Sequence, residues 1–151
     1  MKKHIASLVA CLAVVLVFIP ACGKDDDPPA KTNTEKLSAS SWTLFSASAS
    51  GTDVTNNPYL ACFKDNTVTF AANGSFTVVE NAVVCNPTTA GTFTWSFQTN
   101  ETVLVLSAPL FPGGSGTFNV VSLTETELVV SQSVTIPPSP TAILVVFTFH
   151  H

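Results

Sequence analysis

The sequence predicts an all-β fold: eight antiparallel strands, paired in chain order and closed into an up-and-down barrel, behind a signal peptide and a flexible linker. Three observations carry this. Thr, Ser, Val and Phe dominate the chain beyond residue 36, a composition that suits pleated, half-buried strands, and no stretch there sustains a helical period of 3.6. Short segments alternate apolar with polar residues, as in Phe93-Thr94-Trp95-Ser96-Phe97-Gln98, where three rings fall on one face. The links alternate as well, three or four residues and then a longer run. In a meander every second link lies at the same end, so the long links should gather at one rim and the tight turns at the other. Closing such a sheet removes the edges that invite strand addition.

In chain order, residues 1–21 read as a signal peptide. Lys2 and Lys3 precede the apolar run 5–19, which is shorter than the roughly 20 residues of a spanning helix and fits an export segment. Ile19-Pro20-Ala21-Cys22 resembles a bacterial lipobox. The resemblance implies cleavage before Cys22, a diacylglycerol thioether on its sulfur and a third acyl chain, such as palmitate, on its amine. Two or more chains hold a protein firmly to a bilayer. Gly23-Lys24-Asp25-Asp26-Asp27 resembles the surface-export signal of lipoproteins in some Gram-negative bacteria; a solvated charge run is the plainer reading. The segment 22–36 would then be an acidic and polar tether, and the implied place is the outer membrane, at the cell surface or on the periplasmic face.

Residues 37–151 form the barrel domain, with strands expected at 42–48, 67–71, 75–80, 91–98, 102–108, 116–123, 127–134 and 142–149. The second and third set a register. With Ala72-Asn73-Gly74 as a three-residue loop and Gly74 left-handed, Phe70 faces Phe76, Thr69 faces Thr77 and Val68 faces Val78. One side is then wholly apolar and the other polar, and a one-residue slip would exchange them. The segment 103–106 is apolar on both faces, so its register stays open. A turn after Leu123 would set Leu123 opposite Leu128 and Val121 opposite Val130.

Charge narrows the function classes. The chain has no arginine, and beyond residue 36 Lys64 is the one base against Asp53, Asp65, Glu80, Glu101, Glu125 and Glu127. Such a domain lacks the electrostatic footprint of a nucleic-acid binder. Its histidines, His150 and His151, stand at the end of the chain. Beyond Cys22 only Cys62 and Cys85 remain; both map to the long-link end, and an even pair in an oxidising compartment should form a disulfide. Without a histidine or third cysteine nearby, a metal centre is not expected. Asn57-Pro58 opens a helical turn that should lie across the barrel end.

Cys62-Phe63-Lys64-Asp65-Asn66-Thr67-Val68-Thr69-Phe70, then Asn73-Gly74-Ser75-Phe76, Cys85 and Gly91-Thr92-Phe93-Thr94-Trp95 resemble the lipocalin-like domain family of bacterial lipoproteins. The resemblance implies an antiparallel barrel of about eight strands and, from the wider lipocalin likeness, binding of small apolar molecules. Ser40-Ser41-Trp42 keeps the tryptophan of the lipocalin first strand without its glycine, and no arginine exists to stack on that ring.

Three function classes compete. An enzyme lacks support: no histidine or free thiol lies within the strands, and Pro112-Gly113-Gly114-Ser115-Gly116 has no lysine to make a phosphate loop. No catalytic residue and no cofactor are expected. A ligand-binding barrel would line its interior with Phe70, Phe76, Phe93, Trp95 and Phe97 and its rim with Tyr59, Phe63 and Phe111. Alternatively those rings fill the lower half as core, since a domain of about 115 residues must bury them. The third class is a non-catalytic surface module that binds an envelope protein or glycan through its long loops.

Overall fold

The computed structural model describes residues 29–111, 113–135 and 140–151. The expected signal peptide, the expected lipidation site Cys22 and the acidic run behind it lie outside the described residues. A short helix, α1 (Asn33–Leu37), precedes nine strands: β1 (Ser41–Ala49), β2 (Thr52–Asp53), β3 (Thr67–Phe70), β4 (Ser75–Val79), β5 (Gly91–Gln98), β6 (Val103–Leu106), β7 (Thr117–Leu123), β8 (Glu127–Thr135) and β9 (Ala142–His150). Every neighbouring pair is antiparallel, and β1 pairs with β9 through Leu44↔Phe149 to Ala49↔Val145, so eight strands close into a barrel. This closure excludes two separate layers. The long links all join strands at one end, the rim; the tight turns after β3, β5 and β7 lie at the other, the base.

The first link, read as a long loop from Ala49 to Asn66, contains a strand of its own. Ser50 and Gly51 both adopt positive φ, the conformation of a two-residue hairpin turn whose twist matches the strands. It folds β2 back on β1 with Ala49↔Thr52 paired. Along β3 and β4 the register is Val68↔Val78, Thr69↔Thr77 and Phe70↔Phe76, with Gly74 at φ +84°, as the apolar faces require. The open register of β6 resolves as Trp95↔Leu106 and Phe97↔Leu104, which turns Leu104 and Leu106 inward. Leu123 does face Leu128, but Val130 faces Val120 and not Val121. Val121 is the extra residue of a bulge, and the bulge aims it outward, 60% exposed.

The base is sealed from below. Thr32 caps α1: its hydroxyl oxygen accepts the Glu35 amide while the Glu35 carboxylate accepts the Thr32 amide, satisfying two otherwise orphan donors. Leu37 ends the helix fully buried, and the Trp42 indole N–H donates to the Leu37 carbonyl at 2.8 Å. Lys31 pairs with Glu125 in the β7–β8 turn at 2.7 Å. The stretch 31–36, read as the end of a polar tether, is therefore ordered against the barrel. The edge of the His151 ring meets Trp42 at 4.6 Å, in a chain that has no arginine to offer that tryptophan.

Candidate functional site

The interior is apolar because alternate residues of each strand face it: Trp42 and Leu44 from β1, Val68 and Phe70 from β3, Phe76 and Val78 from β4, Leu104 and Leu106 from β6, Leu128 and Val130 from β8, Phe147 and Phe149 from β9, all buried. A candidate ligand site must lie between these side chains and the rim.

Two loops close the rim. In the first, the Asn57 side chain accepts the Tyr59 amide at 3.0 Å, as a helix-capping residue does, and the following turns run to Asn66. They drop Leu60 and Phe63 inward, each 1% exposed. The Cys62–Cys85 disulfide ties this loop to the β4–β5 link. The second is the β6–β7 loop, which sends Leu110 and Phe111 down, 4% and 1% exposed. The Phe111 ring lies 5.6 Å from Phe63 and 5.2 Å from Phe147. The helical turn thus closes the barrel end and does not form an open wall.

The rim carboxylates are spent on its own loops. Asp65 accepts the amides of Ala82 and Val83 at 2.8 and 3.1 Å. Glu80 accepts the Thr89 amide and hydroxyl and the Thr88 hydroxyl; the Thr89 amide above all holds its carboxyl below the usual range. The Thr55 hydroxyl and amide do the same for Asp53, and Lys64 donates to Asn56. The other Asp65 oxygen, Oδ1, is buried without a hydrogen-bond partner, as is the neighbouring Asn66 Oδ1.

Among the described residues, the interior encloses a void of about 10 Å³, walled by Trp42, Val68, Phe70, Leu104, Leu110, Phe118, Leu128, Val130 and Phe149. A barrel closed by pairing in chain order, a tryptophan buried at its base and an apolar interior stoppered at the rim make one pattern. A family model for a lipocalin-like domain matches residues 40–130, more than half of the chain. The chain belongs to the lipocalin-like domain family. No curated protein matches it.

Within the lipocalin-like domain, the residues expected to bind ligand divide into three groups. Phe70 alone among them borders the void. Phe93, Phe76, Phe70, Trp95 and Phe97 form a ladder of rings along β3, β4 and β5, with successive centroids 5.3 to 5.6 Å apart; Phe93 and Phe97 are only half buried. Phe63 and Phe111 are plugs, while Tyr59 stays on the rim, 46% exposed. The sequence reading passed over Leu110 and Gln132. Gln132 is 2% exposed, and its place two residues after Val130 in an alternating strand is the signal that would have turned it inward.

A void this small is at the lower limit for one water molecule, and its walls offer no polar partner. Sites for small ligands run to about 300 Å³ or more. A ligand could enter this lipocalin-like domain only by displacing side chains, and Leu110 and Phe111, like Leu60 and Phe63, are carried by a loop and not by a strand.

Proposed function

We propose that this protein is a non-catalytic lipoprotein, anchored through Cys22 to the bacterial outer membrane and displayed at the cell surface, whose lipocalin-like barrel takes up a small hydrophobic ligand. The observation that carries the ligand is the void: its walls are apolar throughout, and the one loop residue among them, Leu110, can leave without breaking a strand. The anchor draws its support from the lipobox-like Ile19-Pro20-Ala21-Cys22 and the acidic run after it. The ordered chain reaches the base at Lys31, beside the β7–β8 turn. A tether from Cys22 would therefore hold the base toward the bilayer and turn the rim away from it. The absence of a catalytic role draws support from His150 and His151, which sit at the base among Phe45, Trp42 and Glu127, far from the mouth.

The test is native mass spectrometry and solvent extraction of the protein purified with Cys22→Ser. A co-purifying hydrophobe is expected, and recovery of an empty barrel that takes up no apolar probe would overturn the ligand reading. The same variant should leave the membrane fraction; if it stays, the anchor is wrong.

A second reading has its own observation. Tyr59, Val83 and Val84 stand 46–67% exposed around the disulfide, an apolar tip suited to a protein or glycan partner. A Val84→Asp substitution that abolishes a cell-surface cross-link while leaving ligand uptake intact would favour this module.

A further inference from the structure

One polar side chain faces the barrel interior directly against the plug. Gln132 follows Leu128 and Val130 at every second position of β8. A methyl group on Gly114 would lie 2.8 Å from the Phe111 ring and 3.2 Å from the Gln132 Oε1, so the amide and the plug share one small space. Both ends of the amide are engaged by the loop that carries the plug. Nε2 donates toward the Ser115 carbonyl at 2.9 Å, the Ser115 hydroxyl at 2.8 Å and the Thr117 carbonyl at 2.8 Å. Oε1 accepts the Ser115 amide at 3.1 Å.

A buried amide is tolerable only while it is hydrogen-bonded. With the loop in place, Gln132 is satisfied. When Leu110 and Phe111 withdraw, the Ser115 bonds go with them; the bond to the Thr117 carbonyl in β7 stays, but Oε1 and the second amide N–H are left facing an apolar chamber. An occupant that is pure hydrocarbon would leave both unpaired. An occupant with a carboxylate or phosphate would bring a buried charge, and Lys64, the one base beyond residue 36, is exposed and bonded to Asn56. Burying an unpaired charge costs far more than burying a bonded dipole.

We propose that Gln132 is the specificity residue of the barrel, and that the ligand it selects is an uncharged apolar molecule with one hydrogen-bonding group, such as a long-chain alcohol, ketone or ester. The ligand's polar group replaces Ser115 on the Gln132 amide, and its chain replaces Leu110 and Phe111 over the void. This rests on the ligand-binding reading above and names the class of molecule that reading leaves open.

The test titrates the purified protein with decanol, decanoate at pH 8 and decane, read by tryptophan fluorescence, since Trp42 borders the void. Decanol is expected to bind at least tenfold more tightly than either of the others. In Gln132→Leu, checked for folding by its thermal transition, decanol should lose at least tenfold and decane should gain. Should that variant not fold, Gln132→Met serves, and the order of the three probes on the unaltered protein is already a test. Decanoate binding as tightly as decanol, or an order unchanged in a folded Gln132 variant, overturns this proposal and leaves ligand binding standing. If none of the three binds either the unaltered protein or Phe111→Ala, ligand binding falls and this proposal with it.

Discussion

Phe63 and Phe111 reach the barrel interior from two different loops and meet there with ring centroids 5.6 Å apart. Each is 1% exposed, and each leans on β9, Phe63 against Phe149 and Phe111 against Phe147. The pair is a stopper built from both rim loops. Replacing Phe111 by alanine should cost about 3–5 kcal/mol, the usual toll for a buried ring whose cavity does not collapse. The urea midpoint should fall at unchanged slope, and an environment-sensitive apolar dye should bind more tightly than it does to the unaltered protein. A change within about 0.5 kcal/mol would mark a surface site and remove the stopper.

The disulfide clamps one of those loops to the β4–β5 link across a separation of 23 residues. In the chain-entropy account a loop of this size contributes about 3 kcal/mol, and the double variant Cys62→Ser, Cys85→Ser should lose about that much. A second clamp works beside it: the Asp65 carboxylate holds the Ala82 and Val83 amides. Asp65→Ala should therefore speed hydrogen exchange at Ala82 and Val83 while the strand amides of β4 keep their protection. Equal acceleration along β4 would show that the link is not a separate unit.

Much of the barrel was legible in the sequence because each strand had to satisfy two independent constraints. Gly74 fixed a turn and the Val68, Phe70, Phe76, Val78 face fixed a register, and only one pairing met both. Where one constraint was missing, so was the answer. The segment Val103–Leu106 is apolar on both faces, and nothing local distinguishes Leu104 from Val105; the inward choice comes from Trp95 and Phe97 across the ladder. Helix α1 is five residues long, too short to show a period, and its order comes from docking Leu37 beneath Trp42. The bulge at Val121 depends on how β7 must bend to meet β8. Phe111 read as rim because its loop is rich in glycine and proline. Whether a rim ring turns inward depends on the space that the side chains of eight strands leave between them, a sum no single stretch contains.

Closure of the base depends on a few polar contacts of unequal weight. Thr32→Ala removes the hydroxyl that accepts the Glu35 amide and leaves the backbone half of the capping box, which should cost about 1 kcal/mol. Trp42→Phe keeps most of the apolar area but leaves the Leu37 carbonyl without its buried donor, which should cost about 1–3 kcal/mol. Lys31→Ala breaks a pair whose partners are 50% and 62% exposed, and a change under about 1 kcal/mol is expected. Urea denaturation of the three variants should return that order. A Lys31 effect larger than that of Trp42 would mean that charge, and not the indole bond, holds the helix to the barrel.

Acid should loosen this protein from the rim and the base together. Among the described residues, four carboxyls titrate below their ordinary range, each because hydrogen-bond donors favour the charged form: Glu35 through the Thr32 amide, Asp53 through the Thr55 hydroxyl, Glu80 through the Thr89 amide, and Glu125 through the Lys31 ammonium. A lowered folded-state value means that the unfolded chain takes up protons first as pH falls. The stabilisation is therefore complete above the ordinary carboxylate range and is lost as pH drops through the folded values. Glu80→Gln isolates one contribution. Its side-chain oxygen can still accept the Thr89 amide, but it cannot gain from being charged. The urea midpoint of this variant should lie below that of the unaltered protein at pH 7, and the two should converge as pH falls through the lowered folded-state value of Glu80, where the carboxyl itself becomes protonated. Salt should shrink the Glu125 share, which is an exposed ion pair, and should leave the Glu80 share nearly intact, because its donors are an amide and hydroxyls fixed by the loop. Midpoints that stay parallel from neutral to acid pH would show that Glu80 braces the rim by shape alone and that its charge contributes nothing.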